Sequence, residues 1–308
     1  MTPDARETIR AVARPHRDAR AGWALALPAL AILAAIAVFP IVWTFWESMH
    51  LDDLRMPWLG RPFVGAANYR EAMADRRFWS ALAHTGVFAA ATVTLELALG
   101  LILALGLNRL TRARGLVRTA VLLPWAIPTV VAALVWRFLF ESPGGLASAA
   151  LVGLRVPPPT WFADPIAAWV PLILADVWKT TPFVAILLVA ALQSVDRTIY
   201  EAAAIDGAGR WQRLTRITLP LIAPALVVAF LFRALDAFRV FDVVYVMTGG
   251  GPGTATEPIA LYTFTALLQN LRFGFASALS VIVFVIAFVF ALGAIRVLGG
   301  GAFLERQP

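Results

Sequence analysis

The sequence contains no cysteine and a single lysine, Lys179. The first absence excludes disulfides and cysteine-ligated metals. The second leaves the positive charge almost wholly to arginine. Charged residues make up only 15% of the chain and hydrophobic ones 60%, outside the usual balance of a soluble domain. The three histidines, His16, His50 and His84, are scattered and form no HExxH or other metal pair. No GxxxxGK(S/T) segment is present, so nothing here can cradle ATP phosphates through a P-loop, and no GxSxG is found either. A metal site and a catalytic site are therefore not expected, and the chain reads as something other than an enzyme.

What the chain has instead is long uncharged runs. Ala21 to Trp46, Thr119 to Trp136 and Phe273 to Ile295 each reach the roughly 18–20 residues a bilayer crossing needs. The first run follows basic residues as a signal peptide would. It is too long for one, however, and ends in bulky Trp43, Phe45 and Trp46, so it reads as a retained helix. The expected fold class is all-α, a polytopic membrane protein with six transmembrane helices. These fall at about Ala21–Trp46, Ser80–Leu107, Thr119–Phe140, Ile166–Gln193, Ile217–Met247 and Arg272–Val297. A tail over 1–20, one transmembrane domain over 21–298 and a tail over 299–308 complete the division. Ser142-Pro-Gly-Gly, Pro157-Pro-Pro159 and Thr248-Gly-Gly-Gly-Pro-Gly253 mark turns between helices, the last without the lysine of a phosphate loop.

An isoelectric point near 10.8 would suggest nucleic acid in a soluble protein. Here the arginines cluster at helix ends: Arg6 to Arg20, Arg109 to Arg118, Arg197 to Arg216, then Arg296 and Arg306 on one side. The other side holds mainly Arg55, Arg61, Arg70, Arg76, Arg77, Arg155 and Arg272. The bias predicts both termini, and the segment 196–217, in the cytoplasm.

That segment is polar and arginine-bearing on its left and proline-punctuated on its right: Glu201 to Pro224, EAAAIDGAGRWQRLTRITLPLIAP. Glu201 to Ile205 reads as a short helix broken by Gly207-Ala-Gly209, and a second helix begins near Trp211 and runs past Pro220. The order Glu201-Ala202-Ala203, Asp206-Gly207-Ala208, Leu219-Pro220-Leu221 and Pro224 resembles the EAA loop of permease subunits in binding-protein-dependent ABC importers. The resemblance extends from about Gly22 to Leu298 and implies the type I importer permease fold in a bacterial plasma membrane. It implies a second related permease, two ATPases carrying ATP and Mg, and an external solute-binding protein, with no cofactor in this chain. It further implies that Glu201, Ala202, Ala203, Asp206, Gly207 and Ala208 couple the permease to the ATPase. Arg210, Arg213 and Arg216 are equally well explained as membrane anchors.

Ionisable residues also fall inside predicted spans: Glu96, Asp176, Lys179, Arg233, Asp236, Arg239 and Asp242. Such groups are costly in lipid and usually face a cavity or one another. Steps of three along one helix drift by about 60° each, so Arg233, Asp236, Arg239 and Asp242 are not expected to line one channel together. Lys179 and Arg233 both lie roughly 21–24 Å from the inner helix ends, near mid-membrane. Thr180, Thr181 and Phe183 beside them supply hydroxyls and an aromatic face, and Pro182 should bend the helix. This suits a carbohydrate. In maltose-type permeases the sugar-contacting positions, carried over from the EAA glutamate, fall on Lys179, Thr180, Phe183, Arg233, Asp236, Ala237 and Val240; Ala237 and Val240 can offer only packing. A purely structural ion network is the competing account of the same residues. The resemblance thus implies half of the pathway for an imported sugar such as trehalose or maltose. A glycerophosphate permease of the same family and an ion-coupled secondary transporter, which would usually show inverted repeats, are the alternatives.

Overall fold

In the computed structural model, residues 15–110, 114–141 and 144–303 are described, and they are helical almost throughout. The described residues open with α1 (Pro15–Leu33), a π-helical turn at Ala34–Val38 and α2 (Phe39–Glu47), which follow one another without a break. After α3 (Ala67–Ala74), the long α4 (Arg76–Arg109) crosses the molecule, its first turn capped by the Asp75 carboxylate accepting from the Arg77 N–H. Next come α5 (Arg114–Ala126), α6 (Thr129–Phe140), α7 (Leu146–Gly153) and α8 (Trp169–Gln193). Then α9 (Arg197–Ile205) and α10 (Arg210–Arg213) lead through a second π-helical turn, Leu214–Thr218, into α11 (Leu219–Phe238). The chain closes with α12 (Asp242–Met247), α13 (Ile259–Phe264), a third π-helical turn at Thr265–Gln269 and α14 (Phe273–Phe303).

Five of these helical stretches are long and apolar enough to cross a membrane, and a sixth crossing exists if α5 and α6 count as one. The outward faces are hydrophobic: Trp23, Leu25, Ile36, Phe138, Phe232 and Phe288 are exposed. A bundle that is apolar outside and carries ion pairs inside is built for lipid.

Two of the expected spans are interrupted. The third span is not continuous: α5 and α6 meet at 87° around Ile127 and Pro128. Proline pushes its predecessor out of the helical region, and Pro128 itself sits extended at ψ 136 as the N-cap of α6. The fifth span ends at Phe238 rather than Met247, because the chain breaks over Arg239–Phe241 before α12 restarts. The buried Pro182 lies within a continuous α8. The supposed tails are also partly helical, over 15–20 and 299–303, and the rest of both lies outside the described residues. Two of the π-helical turns, at Ala34–Val38 and Leu214–Thr218, end two residues before a proline, Pro40 and Pro220. Proline's missing N–H already removes a helical bond there, so a widened turn adds little cost.

Packing centres on α4 against α8, the most extensive helix pair. The buried stripe of α4 runs Ala81, Thr85, Phe88, Thr92, Glu96, Gly100, Ala104 and Leu107, at helical spacing. Gly100 lets the backbones close up: a Cβ there would sit 2.6 Å from Val184 Cγ1. One apolar cluster (Ala104, Leu107, Val184, Leu188, Leu192, Ile222, Ala229) fills the end of the bundle near α9, here called proximal. Another (Phe88, Ala133, Leu172, Ala175, Val240, Val243, Met247) fills the distal half. Between them in sequence, on all three long helices, lie the charged residues.

Candidate functional site

The centre of the molecule is Arg233. Its Nε donates to Glu96 Oε2 at 2.5 Å and its Nη2 to Glu96 Oε1 at 2.8 Å, a bidentate pair between α11 and α4. Nη2 also reaches Asp176 Oδ2 on α8 at 3.2 Å, and Nη1 donates to Asp236 Oδ2 one turn further along α11. Arg233 is 3% exposed and Glu96 fully buried. Thr180 Oγ1 lies 2.6 Å from both Glu96 Oε1 and the Asp176 carbonyl, so one hydroxyl proton serves two acceptors. Thr181 donates to the Val177 carbonyl at 2.6 Å. These hydroxyls are therefore committed to their own helix and to Glu96. The reason is that an unbonded hydroxyl is unfavourable in a low-dielectric interior and the carbonyl four residues back is its nearest acceptor.

A cavity of about 810 Å³ opens beside this cluster, and Lys179, Thr180, Phe183, Arg233, Asp236, Ala237 and Val240 all line it. They differ in what they present. Arg233 is pinned from behind; Ala237 and Val240 are buried and apolar. The Asp236 side chain is 59% exposed, with its second oxygen 3.8 Å from Arg239 Nη2. Lys179 has no ion pair among the described residues and makes one long bond, 3.5 Å, to the Trp125 carbonyl. Arg239 and Asp242 line the cavity too, so all four charged residues of the 233–242 stretch face it. Helical drift does not separate them as expected, because the helix is not continuous and the break at Arg239–Phe241 redirects the chain before Asp242.

Two contributors escaped sequence reasoning. Glu96 was left without a role, although its place on a stripe with Gly100 and Ala104 marks a close helix contact. Trp125, beside the α5–α6 break, stacks on Phe183 with ring centres 5.9 Å apart and planes 22° apart. Phe183 in turn meets Phe232 at 6.3 Å. An Ile-Pro step after an aromatic residue was the available signal.

The EAA-like residues lie elsewhere, at the proximal end. The Asp196 carboxylate caps α9 by accepting from the Thr198 N–H at 2.9 Å, which holds its pKa below the ordinary carboxylate value. Thus α9 starts one turn before the expected Glu201. Its far end is a Schellman turn: the Ala208 N–H donates to Ala203 at 2.9 Å, the Gly207 N–H donates to Ala204 at 3.1 Å, and Gly207 has φ +77. Glu201, Ala202 and Asp206 are exposed and Ala203 and Ala208 half-buried; Ile205 and Trp211 also face outward. Residue groups that could hold a metal are absent among the described residues.

Residues 96–298 match the family described as binding-protein-dependent transport system inner membrane component. The chain is 42% identical over 283 residues to the trehalose/maltose transport system permease protein MalF of Thermococcus litoralis, covering 92% of this chain and 95% of that one. It is 40% identical over 281 residues to the trehalose transport system permease protein SugA of Mycobacterium tuberculosis, covering 89% and 88% respectively. In fold it is similar to a chain in the crystal structure of a bacterial alginate ABC transporter bound to an alginate-pentasaccharide-loaded periplasmic protein. That similarity has a TM-score of 0.80 at 25% identity, over 94% of this chain and 99% of that one.

The Arg233 cluster generates a stability prediction. Glu96→Ala removes the bidentate partner of a buried guanidinium and leaves it only Asp176 and Asp236, which should destabilise the fold by about 3 kcal/mol. Glu96→Gln, which keeps the shape and one acceptor oxygen, should lose less. The check is the amount of protein in the membrane and its thermal unfolding midpoint in detergent; equal values for wild type and Glu96→Ala would refute the pinning role.

Proposed function

The chain belongs to the binding-protein-dependent transport system inner membrane component family, and on that premise we propose that it is one permease half of an ATP-driven importer of neutral di- or oligosaccharides such as trehalose or maltose. The family is a transport component rather than an enzyme, resident in the inner membrane, and it implies a partner ATPase and a substrate-binding protein. In this reading the ATPase is a dimer carrying ATP and Mg, and a second homologous permease completes the pathway. Both termini and the 196–217 loop face the cytoplasm, and Gly251 faces outward. ATP binding closes the ATPases, α9 passes that motion to the bundle, and the cavity turns outward to receive sugar.

The observation that carries the proposal is the convergence of the carried-over positions on one cavity. Its chemistry suits a sugar: Trp125, Phe183 and Phe232 offer ring faces, and Lys179, Asp236, Arg239 and Asp242 offer donors and acceptors around them. The charges there nearly cancel, four carboxylates (Glu96, Asp176, Asp236, Asp242) against three cations (Lys179, Arg233, Arg239). That balance favours a neutral solute over a glycerophosphate. Relatives whose names specify trehalose or maltose support the same class. An ion-coupled carrier has no use for the α9 loop.

Within the site, Arg233 positions Asp236, and Asp236 contacts the sugar. Asp236→Ala leaves the bidentate Glu96 pair intact, so the protein should assemble. It should nevertheless lose a charge-assisted hydrogen bond to sugar, about 1.5–3 kcal/mol, or roughly tenfold to a hundredfold in affinity. Trp125→Ala should weaken uptake and change preference across a disaccharide series. Sugar uptake per assembled complex measures both; unchanged uptake and preference in the two variants would remove the site and leave the family membership standing.

Coupling is tested at Gly207. A side chain there would meet nothing within 4 Å, so only the left-handed backbone matters. Gly207→Asn should retain sugar-stimulated ATPase activity, since asparagine tolerates this conformation. Gly207→Pro, with the wrong φ and no N–H for Ala204, should abolish it. Stimulation at wild-type level in Gly207→Pro would defeat a coupling role.

Orientation is tested with an impermeant thiol reagent on intact spheroplasts, against a background free of cysteine. Gly251→Cys should label and Ala208→Cys should not; the reverse pattern would overturn the topology and the ATPase docking with it.

A further inference from the structure

Arginines at the two ends of the bundle are partnered to different degrees: distal Arg70, Arg76 and Arg155 are exposed and without an ion pair among the described residues, but four others there are paired. At the distal end Arg55 pairs with Asp53 at 2.6 Å, Arg61 with Asp52 at 3.0 Å and with Glu47, Arg77 with Glu257 at 2.7 Å, and Arg272 with Glu71 at 2.7 Å. At the proximal end Arg109, Arg118, Arg197, Arg210 and Arg213 make no ion pair and no side-chain hydrogen bond among the described residues. Two adjoining cavities, of about 450 and 520 Å³, gather these unpaired cations. Arg118 and Arg197 line the first, Arg109, Arg210 and Arg213 the second, and Asn108, Leu192 and Tyr200 line both. Arg118 is the sharpest case: its Nε is buried and has no hydrogen-bond partner among the described residues. A buried guanidinium N–H left unsatisfied is costly, which calls for an acceptor in the adjacent space.

We infer that these paired cavities bind the phosphodiester headgroup of an anionic phospholipid, and that the headgroup ties α9 to the ends of α4 and α8. Arginine forks match phosphate oxygens bidentately. The site's level selects a lipid over a soluble ion: it is bounded by Asn108 and Arg109 closing α4 and by Leu192 and Gln193 closing α8, where spanning helices leave the hydrocarbon. Leu105, Leu192 and Val195 provide an apolar margin for the glycerol and first acyl carbons. Anionic headgroups line the cytoplasmic leaflet, to which the proposed orientation assigns this end. Arg197 and Tyr200 belong to α9, so headgroup binding fixes the helix through which ATPase motion enters the bundle. The inference is independent of which solute is carried.

The test uses the assembled transporter with its partner chains. Native mass spectrometry after delipidation and titration with phosphatidylglycerol or phosphatidylcholine reads lipid retention with no sugar present. Wild type should retain phosphatidylglycerol preferentially. Arg118→Gln and Arg197→Gln should each weaken retention about fivefold, and Arg118→Lys, which keeps the charge, should lose less. Arg216→Gln, exposed at the same end but outside both cavities, should behave as wild type. In nanodiscs, coupled ATPase activity should rise with the phosphatidylglycerol fraction for wild type and stay flat for the Arg118→Gln/Arg197→Gln pair. Equal retention by wild type and that pair would overturn the site. An equal loss in Arg216→Gln would reduce it to diffuse surface charge, and full stimulation by inorganic phosphate in phosphatidylcholine nanodiscs would replace the lipid with a soluble anion; either result refutes the inference.

Discussion

The bidentate bond between Arg233 and Glu96 is the interaction on which the rest of the architecture depends. Neither group can be left alone where they sit, because both are buried and an unpaired buried charge costs far more than a hydrogen bond returns. Each therefore dictates the place of the other's helix. Glu96 belongs to α4 and Arg233 to α11; Asp176 of α8 completes a three-helix junction. A buried ion pair of this kind adds little net stability over an apolar core, but it tolerates far fewer alternative registers. The apolar clusters above and below supply the bulk packing, and the ion pair selects one alignment of it.

The same junction explains how a polar cavity survives within a hydrophobic bundle. Arg233 spends its guanidinium on Glu96, Asp176 and Asp236, and so presents Asp236 to the cavity as a fixed acceptor instead of entering as a free cation. Beyond it the helix breaks, and Arg239 and Asp242 turn toward the same space. The kink between α5 and α6 brings Trp125 against Phe183. Two helix breaks thus assemble charge and aromatic surface around one opening.

The two ends of the bundle solve opposite problems. Several distal arginines are neutralised by carboxylates, and pairs such as Arg77–Glu257 and Arg272–Glu71 lock distant segments together. Proximal arginines carry no such internal partners among the described residues, which leaves their charge to be answered from outside the chain. An asymmetry first visible as arginine counts becomes, in three dimensions, a contrast between an internally closed surface and an open one.

Local chemistry was legible in the sequence. Uncharged runs placed the spans, Gly207 placed the turn after α9 because few residues take a positive φ, and the Glu201–Pro224 letters indicated the family. Pro128 was also in plain view, and its predecessor's exclusion from the helical region could have foretold the α5–α6 break. What no local pattern contains is partnership at a distance. Glu96 and Arg233 lie 137 residues apart, and nothing near Glu96 names a guanidinium on another helix. Nor could spacing reveal that the 233–242 charges share one cavity, since that follows from a break set by packing against α6 and α8. The sequence by itself determined which segments leave water, because transfer into lipid is a sum over individual residues. Only the tertiary structure decided which buried charges meet, because a pair energy depends on a distance that the folded chain alone defines.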